Sequence, residues 1–180
     1  MKPLEINEAK APAKKILENV QSKMGAVPNL FKIMANNPSL LKAYTASDET
    51  FRAHSGFSSQ EQEVILLSVA IYNECKYCVA AHSFIAKNQS GVPQNVLEAL
   101  RNQQQLPNDK LEALSKFAKS VAKERGYPSD EASANLKQAG YSDENIAGVI
   151  TAVGMKTMSN YINHIAETEV DEMFSEFKWN

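Results

Sequence analysis

The chain has 180 residues, of which 43% are hydrophobic and 22% are charged, the ordinary balance of a globular protein. A formal net charge of −2 offers no basic surface, which excludes a nucleic-acid-binding protein. No apolar run approaches the ~20 residues that a membrane span needs, and the first eight residues lack the apolar core of a secretory signal. We therefore expect a cytoplasmic protein that binds neither membrane nor nucleic acid.

Hydrophobic periodicity and helix-end signals predict helices almost throughout the chain. In chain order the predicted helices cover residues 13–24, 30–35, 39–53, 64–71, a segment that begins at Asn73, 95–101, 109–124, 129–139 and 142–167, followed by a short amphipathic tail. The apolar run from Val64 to Ile71 also has the length of a buried strand. Ser58 and Glu61 before it form a capping box, however, which favours a helix. The sequence therefore predicts an all-α fold.

The only two cysteines, Cys75 and Cys78, lie three residues apart, and His82 follows one helical turn later. On a helix these three positions fall within about 60° of one another, because each residue advances by roughly 100°. Two thiols and an imidazole on one face are typical of a redox-active dithiol, since a close pair can form a disulfide once one sulfur is oxidised. In a reducing compartment such a pair is more often catalytic or metal-binding than structural.

A base for the thiols is predicted from a break in the helical pattern at Tyr72 and Asn73. Glu63 would lie roughly 18 Å from Cys75 on one continuous helix, too far for proton transfer. Glu63 and His82 are nearly equidistant from the break, so an antiparallel helical hairpin would place them opposite each other. Glu63 would then orient His82 toward the sulfurs. From spacing alone, a solvated carboxylate at position 63 is the commoner outcome.

Helix position also bears on which thiol ionises. Cys75 lies nearer the helix N-terminus and would be the more acidic thiol on that argument alone. Asn73 is the expected N-cap of this helix. Lys76 is expected to be exposed in the first turn, where its charge would favour a nearby thiolate.

Two other interpretations of these residues stay open. Cys75, Cys78, His82 and Glu63 are all ligand types that zinc accepts, although their spacing on one helix is unusual for a structural zinc site. Alternatively, the chain is a non-catalytic redox-sensing or disulfide-exchange protein. The two cysteines would then switch an interface without turning over a substrate.

The spacing Glu63-x11-Cys75-x2-Cys78-x3-His82 resembles that of the alkylhydroperoxidase D-like, or carboxymuconolactone decarboxylase-like, proteins. The segments Met-Gly-Ala-Val-Pro-Asn-Leu-Phe and Asn-Asn-Pro-Ser-Leu-Leu, which begin at Met24 and at Asn36, resemble the N-terminal signature of the peroxidase-related branch of that family. The resemblance covers the region of about 15–125 well and the later helices less specifically. It implies a single compact domain over 1–180, with a core of about 15–125 and a C-terminal helical extension of about 129–180.

The resemblance implies a thiol-dependent peroxidase that reduces hydrogen peroxide or organic hydroperoxides and needs no cofactor. Cys78 would be oxidised to a sulfenic acid, Cys75 would donate a proton and form the disulfide, and Glu63 and His82 would be the proton relay. The electron donor would be a lipoyl- or thioredoxin-like dithiol. Tyr77 stands where a histidine is frequent; it cannot act as a base near neutral pH, and it is expected to donate a hydrogen bond to a peroxide oxygen.

The resemblance further implies a homotrimer or homohexamer. The C-terminal helices are apolar enough to agree with this, because they carry more apolar surface than one layer of helices easily hides. The residues concerned are Met155, Met158, Tyr161, Ile162, Ile165, Met173, Phe174, Phe177 and Trp179. The decarboxylase branch lacks the cysteine pair, so decarboxylation is not expected.

Overall fold

The computed structural model describes residues 1–180 and contains helices and no strand, which confirms the predicted all-α fold. The helices are α1 (Ala13–Met24), α2 (Asn29–Met34), α3 (Pro38–His54), α4 (Ser59–Tyr72), α5 (Lys76–Asn88), α6 (Gln94–Arg101), α7 (Asp109–Lys123), α8 (Asp130–Gln138) and α9 (Asp143–Ala166), followed by a 3₁₀ helix (Glu172–Phe177). No helix is long and apolar enough to cross a membrane.

Helix α4 is the centre of the fold. Ser58 caps it and forms the predicted capping box with Glu61. The ten residues from Gln62 to Ile71 are all buried, because α5, α7 and α9 pack around the helix. Apolar residues occur on every face of the helix between Val64 and Ile71, a pattern that is stable only in such a buried position.

The turn between α4 and α5 differs from the prediction in one respect. Asn73 is not the N-cap of α5 but the C-cap of α4. The N-cap of α5 is Cys75. Glu74 adopts a left-handed conformation with φ of 55°, so the N–H groups of Glu74 and Cys75 bond back to the carbonyls of Ile71 and Ala70. This arrangement is a Schellman motif, which ends α4 and reverses the chain into the predicted hairpin.

Helix α9 covers the open side of this hairpin. It packs against α2, α3, α4, α5 and α7. Gly148 permits the close approach, since a Cβ atom there would lie 2.7 Å from the carbonyl oxygen of Ser55. The 3₁₀ helix packs against α5, where the ring of Phe174 meets those of Tyr77 and Phe84. Residues from both ends of the chain thereby surround the cysteines.

Only some of the apolar C-terminal residues are buried in the chain's own core. Met155 and Phe174 are buried, and Met158, Ile162, Phe177 and Trp179 pack against the core. Tyr161, Ile165 and Met173 are exposed, as is Ile150. Ile150, Tyr161 and Ile165 fall within about 60° of one another around α9, which defines an exposed apolar stripe on that helix.

We predict that this stripe is covered by a second copy of the chain. Light scattering should then give a multiple of the 19.9 kDa subunit mass, and Tyr161→Lys should reduce it toward one subunit. Tyr127→Lys is the matched control, because Tyr127 is also exposed but lies outside the stripe. A wild-type protein of single-subunit mass at micromolar concentration would contradict the prediction.

Candidate active site

Both cysteines are buried and unbridged at the start of α5. Cys75 is the N-cap and Cys78 lies in the first turn. From α9, the Asn163 side-chain N–H₂ lies 3.3 Å from Cys78 Sγ and 3.8 Å from Cys75 Sγ. One amide of α9 therefore contacts both sulfurs of α5.

A small cavity of about 110 Å³ opens onto Cys78 and His82 and is not lined by Cys75. Its walls are mostly apolar and aromatic and come from α1, α2, α3, α5 and the 3₁₀ helix. The remaining lining residues are Met24, Pro28, Leu30, Phe31, Tyr44, Asp48, Arg52, Tyr77, Ala81, Ile85 and Phe174. Pockets for drug-sized ligands are several times larger, so this cavity suits a small molecule. Such a molecule would meet Cys78 first.

The hairpin brings Glu63 and His82 together, as predicted from their nearly equal sequence distances to the break between the helices. Glu63 Oε2 lies 2.9 Å from His82 Nδ1, and Glu63 is fully buried and not the solvated carboxylate that spacing alone favours. Arg52 of α3 bonds the other carboxylate oxygen. Burying a charged carboxylate is costly unless partners compensate it, and here two partners do so.

The ionisation of this pair follows from its surroundings. Burial raises the pKa of Glu63, but the opposing effects of His82 and Arg52 are larger together and bring this pKa below its ordinary value. Burial lowers the pKa of His82, as does the charge of Lys156, and Glu63 offsets this only in part. At neutral pH we therefore assign an ionised Glu63 and a neutral His82. An ionised carboxylate only accepts hydrogen bonds, so His82 Nδ1 carries the proton and Nε2 is free to accept one.

The pKa values of the two thiols are shifted in opposite directions. Burial raises the pKa of Cys78, but the neighbouring Cys75 thiol, the charge of Lys156, His82 and the Asn163 contact together outweigh burial and bring that pKa well below its ordinary value. The neighbouring Cys78, followed by burial, raises the pKa of Cys75. These directions are the reverse of what helix position alone favours.

The four residues do not converge on a common point that would hold a metal ion. No group of three or more His, Cys, Asp or Glu side chains in the structure could do so. His82 Nδ1 is engaged by Glu63, while the sulfurs interact with each other and with Asn163. The zinc interpretation therefore has no ligand set in this fold.

Comparison with known proteins agrees with this geometry. Residues 38–118 match the model of the carboxymuconolactone decarboxylase family, and this range contains Glu63, Cys75, Cys78 and His82. This match supports the assignment of the region to that family. No curated protein matches the sequence.

Several solved structures have a similar fold over nearly the whole chain. A protein from Ralstonia eutropha JMP134, described as an alkylhydroperoxidase AhpD core and an uncharacterized peroxidase-related protein, has a TM-score of 0.85 at 23% identity, over 97% of this chain and 93% of its own. An uncharacterized peroxidase-related protein from Silicibacter sp. TM1040 has a TM-score of 0.78 at 26% identity, over 97% of this chain and 90% of its own. The debrominase Bmp8 has a TM-score of 0.79 at 18% identity, over 97% of this chain and 93% of its own. The first and third likenesses, below 25% identity, show the fold alone.

Tyr77 has a different role from the one expected. Its hydroxyl donates to Asp171 Oδ2 at 2.6 Å and accepts from the Leu30 N–H at 3.2 Å. Its only proton is thus engaged in this structure and is not directed at a peroxide oxygen. Burial and the neighbouring carboxylate raise the pKa of Tyr77. Tyr77 ties α5 to α2 and to the segment before the 3₁₀ helix, and so shapes the cavity wall.

Sequence analysis missed Lys156, Asn163 and Arg52. Lys156 is fully buried in α9 and lowers the pKa values of both thiols. One signal was available: Lys156 is the only charged residue between Glu144 and His164. Its full burial is unusual for a lysine, which is almost never fully buried unless it is paired. Lys76, by contrast, is exposed, as expected.

Proposed function

We propose that the chain is a thiol-dependent peroxidase that reduces hydrogen peroxide or small organic hydroperoxides. The observation that carries the proposal is that Cys78, the thiol of lowered pKa, lines the cavity, whereas Cys75 does not. The thiolate is the nucleophilic form of cysteine, and this arrangement presents it to a small substrate.

The reaction would proceed in two steps. The Cys78 thiolate attacks one oxygen of the peroxide, the O–O bond breaks, and the leaving oxygen takes a proton to become water or an alcohol. Cys78 becomes a sulfenic acid. Cys75 then attacks the Cys78 sulfur, an S–S bond forms, and the sulfenic oxygen leaves as water. A dithiol donor, of the lipoyl or thioredoxin type, reduces the disulfide by two electrons.

Glu63 and His82 would move the protons. Neutral His82 lines the same cavity as Cys78, and its free Nε2 would take a proton and return it to a leaving oxygen. Glu63 fixes the ring and stabilises the imidazolium when it forms, and Arg52 holds Glu63 in place. Cys75, whose pKa is raised, would be a further proton donor to the reaction at Cys78.

The assignment of the two thiols can be tested by trapping. In Cys75→Ser, a stoichiometric amount of peroxide should leave a sulfenic acid on Cys78 that dimedone labels. The serine keeps a hydrogen-bond donor beside Cys78. In the wild type the same treatment should remove both free thiols and lower the subunit mass by two hydrogens. Dimedone labelling of Cys75 in Cys78→Ser, with none in Cys75→Ser, would reverse the roles.

A second candidate reaction is reductive debromination of a small aromatic compound. The specific observation that favours it is the aromatic lining beside Cys78, with Phe31, Tyr44, Tyr77 and Phe174. Replacement of bromine by hydrogen would release bromide and a proton and convert the same two thiols to the disulfide. Bromide release from a brominated pyrrole, measured with the same dithiol donor, tests this candidate beside peroxide.

A further inference from the structure

Three buried side chains on one side of α9, one of which contacts the cysteine pair, carry polar atoms that have no partner. Lys156, Asn160 and Asn163 lie at helical spacings of four and three, and so on one side of the helix. Lys156 Nζ, Asn160 Nδ2 and Asn163 Oδ1 have no hydrogen-bond partner, and all three residues are buried. An unpaired buried ammonium is the costliest of these, since a charge taken out of water needs a compensating charge.

The carboxylates around the cavity and the cysteine-bearing helix are engaged with other partners. On α4, Glu63 is bound by His82 and Arg52. On α3, Asp48 also interacts with Arg52, and Tyr44 is buried with a raised pKa. Before the 3₁₀ helix, Asp171 accepts from Tyr77 and Asn29. The buried residues of α2 and α7 include no charged side chain.

On α5, the groups that interact electrostatically with Lys156 are Cys75, Cys78 and His82. His82 is already oriented by Glu63, and Cys75 keeps its proton. The Cys78 thiolate is therefore the one anion available to balance the ammonium. Asn163, which donates toward the same sulfur, adds to this stabilisation.

We infer that Lys156 is the counter-charge of the reduced Cys78 thiolate and that it thereby makes the Cys75–Cys78 disulfide easy to reduce. The inference rests on the dithiol cycle proposed above. Reduction by a dithiol adds two electrons and one proton to the disulfide, which gives the Cys78 thiolate and the Cys75 thiol. Oxidation removes the thiolate charge and leaves Lys156 buried without a counter-charge, so the disulfide form is disfavoured. Lys156 is a positioning residue, because the attacking atom is the sulfur.

The test is a redox titration of the full chain against a small reference dithiol, without peroxide. Lys156→Met, which keeps the length and loses the charge, should shift the equilibrium at least tenfold toward the disulfide, which is about 30 mV for two electrons. Lys156→Arg should stay near the wild type. Lys76→Met, at the exposed lysine beside Cys75, is the matched control and should change nothing.

The wild type alone provides an independent measurement in case Lys156→Met does not fold. With one proton taken up per disulfide, the reduction potential of the cysteine pair changes by about 30 mV per pH unit near neutrality. Uptake of two protons would change the potential by about 59 mV per pH unit and would overturn the inference. So would a folded Lys156→Met with the wild-type equilibrium and the wild-type Cys78 pKa. Neither result depends on peroxide turnover. A failure of this inference can therefore be distinguished from a failure of the proposed peroxidase function.

Discussion

Cys78→Ser should abolish catalysed peroxide reduction, to the rate seen without protein. The lost sulfur is the one that lines the cavity and ionises, and Cys75 cannot replace it, because Cys75 does not line the cavity and has a raised pKa. The measurement is peroxide consumption with an excess dithiol donor.

Cys75→Ser is the matched control for this experiment. It should still consume about one peroxide per subunit, since Cys78 and its surroundings remain, and then stop, because no disulfide can form. Equal single-turnover reactivity of Cys78→Ser and the wild type would show that Cys78 is not the attacking sulfur.

Glu63→Gln and His82→Ala should each lower the rate of reaction with peroxide by about 10²–10⁴-fold, the usual contribution of general acid–base catalysis. The glutamine keeps the shape of Glu63 but cannot stabilise an imidazolium. Because the two residues form one hydrogen-bonded unit, the double variant should be little worse than either single variant. The measurement is the second-order rate constant with peroxide, beside the pKa of Cys78.

Glu49→Gln is the control for this pair, since Glu49 is a largely exposed carboxylate on α3. Circular dichroism should show intact helices in all variants. If Glu63→Gln has the wild-type rate and the wild-type Cys78 pKa, the relay is wrong and His82 acts without it.

The same carboxylate predicts how stability depends on pH. The pKa of Glu63 is lowered in the folded state, so its contribution to stability is present above the unfolded pKa. That contribution is lost as the pH falls through the folded pKa. Above pH ~5, where both states are ionised, Glu63 should add no slope.

The parts of the site that lie on the α4–α5 hairpin were predictable because they are local in sequence. Two strong helices with a break between them allow few arrangements, and the pairing of Glu63 with His82 follows from their equal distances to that break. The position of the cap was not predictable in the same way. Glu74, a residue without special preference for the left-handed region, makes the reversal and shifts the cap to Cys75.

The remaining contacts join residues that are far apart in the chain. Asn163 reaches Cys78 across 85 residues, and Asp171 reaches Tyr77 across 94. Periodicity gives the buried side of α9 but not the helix that it faces. The electrostatic asymmetry of the two thiols, which decides their roles, therefore depended on tertiary structure.

The central claim is that the Cys75–Cys78 pair turns over peroxide at the expense of a dithiol. The most direct measurement is steady-state peroxide consumption by the wild type with an excess of a lipoyl- or thioredoxin-type donor. We predict many turnovers per subunit, with one donor dithiol oxidised for each peroxide reduced. Consumption that stops after about one peroxide per subunit, with the disulfide left unreduced by every donor, would contradict the claim and indicate a redox-sensing protein.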